Sequence, residues 1–99
     1  MYDNGRRWEF LTNHAQVLVC IARDPGLRLR DIAEGVEITE RAAHRIVTEL
    51  AAAGYITRER NGRRIRYTVN AHLPIGDPVA GQRNVGALLE VLTTAGSTD

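Results

Sequence analysis

Residues 30–50 read RDIAEGVEITERAAHRIVTEL, and the organisation of the whole chain turns on them. Ala43, Ile46, Val47 and Leu50 recur at i, i+3, i+4 and i+7, which gives a helix one apolar face to bury. At the α-helical period Arg41, Arg45, Thr48 and Ala52 fall on the opposite face, with His44 at its edge. Thr39 stands where an N-cap hydroxyl accepts from an orphan backbone N–H, and Glu40 suits the positive end of the helix dipole. Ile38, just before the cap, can pack on Ala43 as a hydrophobic staple. Upstream, Ile32, Ala33 and Val36 form the buried edge of a shorter helix, and the small Ala33 lets the two helices approach closely. Helix, tight turn and helix with these buried positions is the layout of a helix-turn-helix that reads DNA in the major groove. The exposed face carries two guanidiniums one turn apart, and arginine matches the edge of guanine. The plainer alternative is a solvated face on which Arg45 and Glu49 form an ordinary i, i+4 pair.

The chain just downstream weighs against that alternative. Ala51, Ala52 and Ala53 continue the second helix, and Gly54 ends it at a C′ position. Residues 55–69, YITRERNGRRIRYTV, then make a β-hairpin. Asn61-Gly62 suits a type I′ turn, which needs two positive-φ residues. A turn there pairs Arg60 with Arg63, Glu59 with Arg64, Arg58 with Ile65, Thr57 with Arg66 and Ile56 with Tyr67. It puts Ile56, Ile65 and Tyr67 on one face and a Glu59–Arg64 pair on the other. Arg58, Arg60, Arg63 and Arg64 crowd the tip and repel one another, a cost that a polyanion relieves.

Ninety-nine residues make one domain with a modest core. A hydrophobic content of 43% and a charged content of 25% are those of a soluble globular protein. The net charge is only +1, so its distribution matters more. Residues 55–67 hold five Arg against one Glu, and residues 68–99 hold one Arg against three acids. All 13 basic residues are arginine, a bidentate donor for phosphate. Cys20 is the single cysteine, which excludes an intramolecular disulfide framework and fits a reducing cytosol. It lies in an apolar helix and reads as a buried, inert thiol. The N-terminus lacks a signal-peptide pattern, and no apolar run approaches the roughly 20 residues that span a bilayer. The expectation is a cytoplasmic protein without a membrane partner. His14, His44 and His72 are scattered, so no metal site is expected, and no nucleophile–base pairing suggests an enzyme or a cofactor.

The flanks complete the layout. Residues 1–11 form an N-terminal arm in which Trp8, Phe10 and Leu11 pack on the core or on a second subunit. Thr12 or Asn13 caps a helix that runs to about Arg23, apolar almost all round, and Asp24-Pro25-Gly26 stops it. Leu27, Arg28 and Leu29 alternate as a very short strand would. Residues 70–99 hold a linker and a C-terminal helix, capped by Asp77 with Pro78 at its first position and reaching about Thr94. Val85, Leu88, Leu89 and Leu92 stripe that helix. With Trp8 and Phe10, they are expected to form a homodimer interface; the alternative is that the stripe folds back on the helix of residues 13–23.

Residues 12–69 resemble the winged helix-turn-helix of MarR-like and ArsR-like bacterial transcriptional regulators. The residues that carry this are LRDIAEGVEITERAAHRIVTELAAAGYI and a wing of the form R-x-R-x-G-R-R-x-x-Y. The resemblance implies an α+β fold of three helices and a β-hairpin wing, here with an added C-terminal helix. It implies a dimer that sets residues 41–48 in the major groove of double-stranded DNA, with the wing on the backbone or minor groove. Arg41, His44, Arg45 and Thr48 are then the base readers. Arg58, Arg60, Arg63, Arg64 and Arg66 serve the wing, while Arg28 and Thr39 hold the flanking backbone. The family's turn commonly carries Gly where this chain has Glu37, so either Gly35 supplies that freedom or the turn is reshaped. The chain is shorter than typical MarR proteins, whose extra helices make the dimer interface and an effector pocket, so no effector is assigned. The competing reading is a winged-helix module that binds protein or RNA.

Overall fold

A hydroxyl opens the first helix. Thr12 Oγ1 accepts from the backbone N–H of Ala15 at 3.1 Å, and Gln16 Nε2 donates to the carbonyl of Leu11 at 2.9 Å. Thr12 is therefore the cap and Asn13 the first helical residue, which resolves the choice between them. In the computed structural model, which describes residues 9–94, the order is α1 (Asn13–Arg23), α2 (Leu29–Val36), α3 (Glu40–Ala52), β1 (Ile56–Asn61), β2 (Arg64–Val69) and α4 (Val85–Thr93). Trp8 of the expected arm lies outside the described residues.

Glu37, between α2 and α3, takes the left-handed conformation itself, with φ 66° and ψ 47°. Gly35 stays inside α2, so it does not supply the freedom. The left-handed residue lets the N–H of Ile38 reach back to the carbonyl of Ala33 at 3.0 Å, closing α2 within one residue of the next cap. Thr39 Oγ1 then accepts from Ala42 N at 3.0 Å, as expected of the cap of α3. At the far end Tyr55 N bonds Leu50 O and Gly54 N bonds Ala51 O, the 6→1 and 5→2 pair of a Schellman motif.

Leu27 to Leu29 make no strand. Asp24 Oδ1 accepts from Gly26 N, Leu27 N bonds Asp24 O, and Leu29 already opens α2. The α1–α2 loop instead meets the wing through a backbone bond, from Tyr67 N to Pro25 O at 3.1 Å.

The wing is a two-stranded antiparallel hairpin, but its register differs from expectation by two residues. Asn61 pairs Arg64, Arg60 pairs Ile65, Glu59 pairs Arg66, Arg58 pairs Tyr67, Thr57 pairs Thr68 and Ile56 pairs Val69. The turn is thus Gly62-Arg63, and Asn61 belongs to the strand. Gly62 has φ 67° and Arg63 is not in positive-φ space, so only the first central residue needs left-handed freedom, as in a type II′ turn. A two-residue shift preserves the faces. Ile56 and Tyr67 are buried as expected, whereas Ile65 sits too near the tip to be covered.

The C-terminal helix is shorter than its sequence pattern suggests. Pro78 opens only a 3₁₀ turn, Pro78–Ala80, which Gly81 ends. Asn84 caps α4, its side chain accepting from Ala87 N at 3.0 Å. The segment between folds back so that Leu73 O and Ala71 O accept from Val85 N and Gly86 N, both at 2.8 Å. Gly86 is needed there because a Cβ would stand 2.9 Å from that of Ala71 and 3.0 Å from its carbonyl oxygen.

One core joins all of this. Val17, Ile21, Ile32, Ile46 and Val47 are fully enclosed at the α1–α2–α3 junction. Ile56 and Tyr67 close it from the wing, and Leu89 closes it from α4. Val85 and Leu89 are therefore core residues of the single chain, 5% and 7% exposed, and not a seam between chains. Leu92 packs at the edge of the same core, and Arg23 Nη2 caps its carbonyl at 2.9 Å. The stripe folds back on α1 because that helix is apolar nearly all round and needs cover. Of the expected interface, Phe10 stays 93% exposed. Leu88 is half-buried in a cavity of about 490 Å³ shared with Phe10, Leu18, Tyr55 and Ile75.

Candidate nucleic-acid interface

With Ala43, Ile46, Val47 and Leu50 buried, α3 shows its other side to solvent. Arg41, His44, Arg45 and Thr48 are all exposed and follow one another at i, i+3, i+4 and i+7. They form a single stripe along the helix axis.

On one flank of that stripe α3 and the wing enclose a cleft of about 750 Å³. His44 and Val47 line it from α3, Arg58, Arg63 and Arg64 from the wing, and Leu27 and Arg28 from the α1–α2 loop. Arg58 shares the Tyr67 face of the hairpin, which is why it turns toward α3. Burial raises the pKa of the Tyr67 phenol, so it stays neutral beneath these cations. Arg64 Nη2 makes a long contact, 3.4 Å, to the carbonyl of Gly26. Arg28 is held by Asp31, whose Oδ2 lies 3.5 Å from Nε and accepts from the Arg28 backbone at 3.2 Å. Among the described residues Arg41, His44, Arg58, Arg60, Arg63 and Arg66 enter no ion pair. The uncompensated positive charge of the cleft therefore sits on its wing wall, while Asp24 and Asp31 line the wall across from it.

The structure does not gather every sequence candidate here. Arg60 and Arg66 are exposed on the wing but outside the cleft. Arg66 lies on the hairpin's other face, opposite Glu59 and beside Ala22 and Pro25. Thr39 uses its hydroxyl oxygen as the α3 cap. No group of three or more His, Cys, Asp or Glu residues that could hold a metal occurs among the described residues. No described helix is long and apolar enough to cross a membrane.

On the other flank the structure reveals a contact that sequence spacing did not suggest. Glu49 Oε1 accepts from His14 Nε2 of α1 at 2.6 Å, while Oε2 lies 3.5 Å from Arg45 Nη1. The His14 hydrogen bond is the main cause of a lowered Glu49 pKa. The Arg45–Glu49 pair was legible from its spacing. His14 was not, because 35 residues separate the partners and only tertiary packing brings them together.

Compared with models of known protein families, residues 10–65 match the MarR family, more than half of the chain. The chain belongs to the MarR family. Its helix-turn-helix and wing are those of a DNA-binding transcription regulator, and family members are regulators and not enzymes. The MarR match spans α1, α2, α3 and β1 and ends inside β2, so it covers the cleft's lining residues except Tyr67 and leaves out α4. No curated protein matches the chain.

Proposed function

We propose that this chain is a sequence-specific, double-stranded-DNA-binding regulator that sets α3 in the major groove. The observation that carries the reading is the exposed stripe of Arg41, His44, Arg45 and Thr48 beside a cleft lined by the wing's Arg58, Arg63 and Arg64. The stripe offers forked donors to base edges, and the cleft offers Arg58, Arg63 and Arg64 to a phosphate backbone or minor groove. Arg28 and Thr39 flank the same surface and contact the adjoining backbone, with Arg60 and Arg66 extending the wing's field. A face this polar and cationic suits a polyanion better than an apolar protein partner.

One recognition helix reads few base pairs, so the reading includes a homodimer on an inverted-repeat operator, with half-site centres about 10 bp apart or a multiple of a helical turn. Because Val85 and Leu89 are core residues, the dimer contact draws on the outward groups near them, Phe10, Leu88 and the 71%-exposed Val91. Selection of bound sequences from random duplex DNA tests the reading. An enriched inverted repeat is the expected outcome, and an unenriched pool would overturn it.

A further inference from the structure

Glu49 is an acid on a helix that is otherwise dressed to meet a polyanion. Going round α3 at about 100° per residue, the exposed order is His44, Thr48, Arg41, Arg45 and Glu49. Arg45 and Glu49 therefore occupy the flank away from the wing, next to the start of α1. The two carboxylate oxygens have separate partners: Oε1 is taken by His14 and Oε2 by Arg45. Carboxylate oxygens only accept, so His14 must present its Nε2–H. The short His14 contact anchors Glu49 to a second helix, which an i, i+4 pair on an isolated helix lacks. The carboxylate engages only Nη1 of Arg45 and leaves the rest of the guanidinium fork open.

Resting on the reading that α3 enters the major groove, we infer that Glu49 is a specificity-determining positioning residue. Anchored by His14, it aims Arg45 and sharpens that residue's preference for guanine at one base pair of each half-site. An arginine on a flexible stem can reach a phosphate or several bases. One whose direction is set before binding loses less freedom in making the two parallel bonds that guanine offers. The carboxylate also repels phosphate, which disfavours the backbone contact that would make binding indiscriminate.

The test is selection from random duplex DNA with the full chain and its variants Arg45→Ala, Glu49→Gln, His14→Ala and His14→Gln. Arg45→Ala identifies the base pair that Arg45 reads. Glu49→Gln and His14→Ala should each reduce discrimination at that pair by about fivefold or more, the lower bound of what a good bidentate contact supplies. Preferences at the other positions should hold, and His14→Gln, which keeps a donor, should restore the lost one. Glu49→Gln should also bind random DNA more tightly, but His14→Ala should not, because its carboxylate remains. If Glu49→Gln strengthens binding to all sequences alike with preferences intact, the carboxylate is only a repulsive charge and the inference is overturned. It is equally overturned if His14→Ala lowers the melting temperature without touching the preference. A wild-type pool with no preference anywhere, or an Arg45→Ala pool that matches wild type, would instead refute the major-groove reading underneath.

Discussion

At the scale of single residues, Glu49 offers a measurable titration. Its carboxyl lies below the ordinary 4.5, chiefly because His14 donates a hydrogen bond to the charged form. A group made more acidic by folding favours the folded state above its unfolded value, and that contribution is lost as pH falls through the lower folded value. From neutral pH to below both values, wild type should thus lose more stability than His14→Ala. The carboxyl midpoint in His14→Ala should move back up toward 4.5, and NMR titration with thermal melts at both pH limits checks the pair. Gly86 is a second residue whose environment decides its identity. Alanine is the better helix former by about 1 kcal/mol, but a Cβ meets Ala71 at 2.9 Å and overpacking costs about 1–3 kcal/mol. Gly86→Ala should be net destabilising in a thermal melt, although helix propensity alone argues the reverse.

At the scale of elements, the wing shows what a hairpin sequence does and does not specify. Alternation assigned the faces correctly, because a shift of two residues leaves every side chain on its own side. The turn itself was misread: Asn61-Gly62 reads locally as the turn, yet the pairing of Ile56 with Val69 lengthens each strand and moves the turn to Gly62-Arg63. The shifted turn presents Arg63 at the tip, while Arg58 keeps the α3 side that either register gives it. Arg63→Ala should weaken binding to preferred and random duplex alike and make the log–log salt slope shallower by about 0.9, one phosphate's worth. Arg45→Ala should cost about 1–3 kcal/mol on the preferred site and little on random DNA. Competition binding at two salt concentrations separates them. Equal losses for both variants on both DNAs would mean that α3 is not the reading helix.

At the scale of the whole molecule, α4 belongs to the monomer through one edge and faces outward through another. Leu89 is 7% exposed in the common core, so Leu89→Ala should cost about 2–5 kcal/mol in denaturant unfolding. Val91 is 71% exposed two residues later. Under the proposed homodimer, Val91→Arg should leave a folded chain that scatters light as a monomer and binds a half-site weakly. Wild type should scatter as a dimer at micromolar concentration. A wild-type monomer would refute the dimer, and an unfolded Val91→Arg variant would show that this edge too belongs to the core.

The division between sequence and tertiary structure follows the range of the interactions. The helix-turn-helix was legible because its signals are local: the i, i+3, i+4, i+7 stripe of Ala43 to Leu50, the Thr39 cap and the Gly54 stop all act within one or two helical turns. At Glu37 the sequence pointed to freedom at Gly35 or to a reshaped turn, and neither is observed: Glu37 itself takes the left-handed backbone. The C-terminal stripe was equally visible, but a stripe states only that something must cover it. That α1 does so, burying Leu89 in the same chain, depends on the course of residues 70–84 and on the carbonyls of Ala71 and Leu73 capping α4. Likewise no spacing rule joins His14 to Glu49. Their 2.6 Å contact exists because the core packs the start of α1 beside the end of α3, and a pairing across 35 residues leaves no periodic trace in the chain.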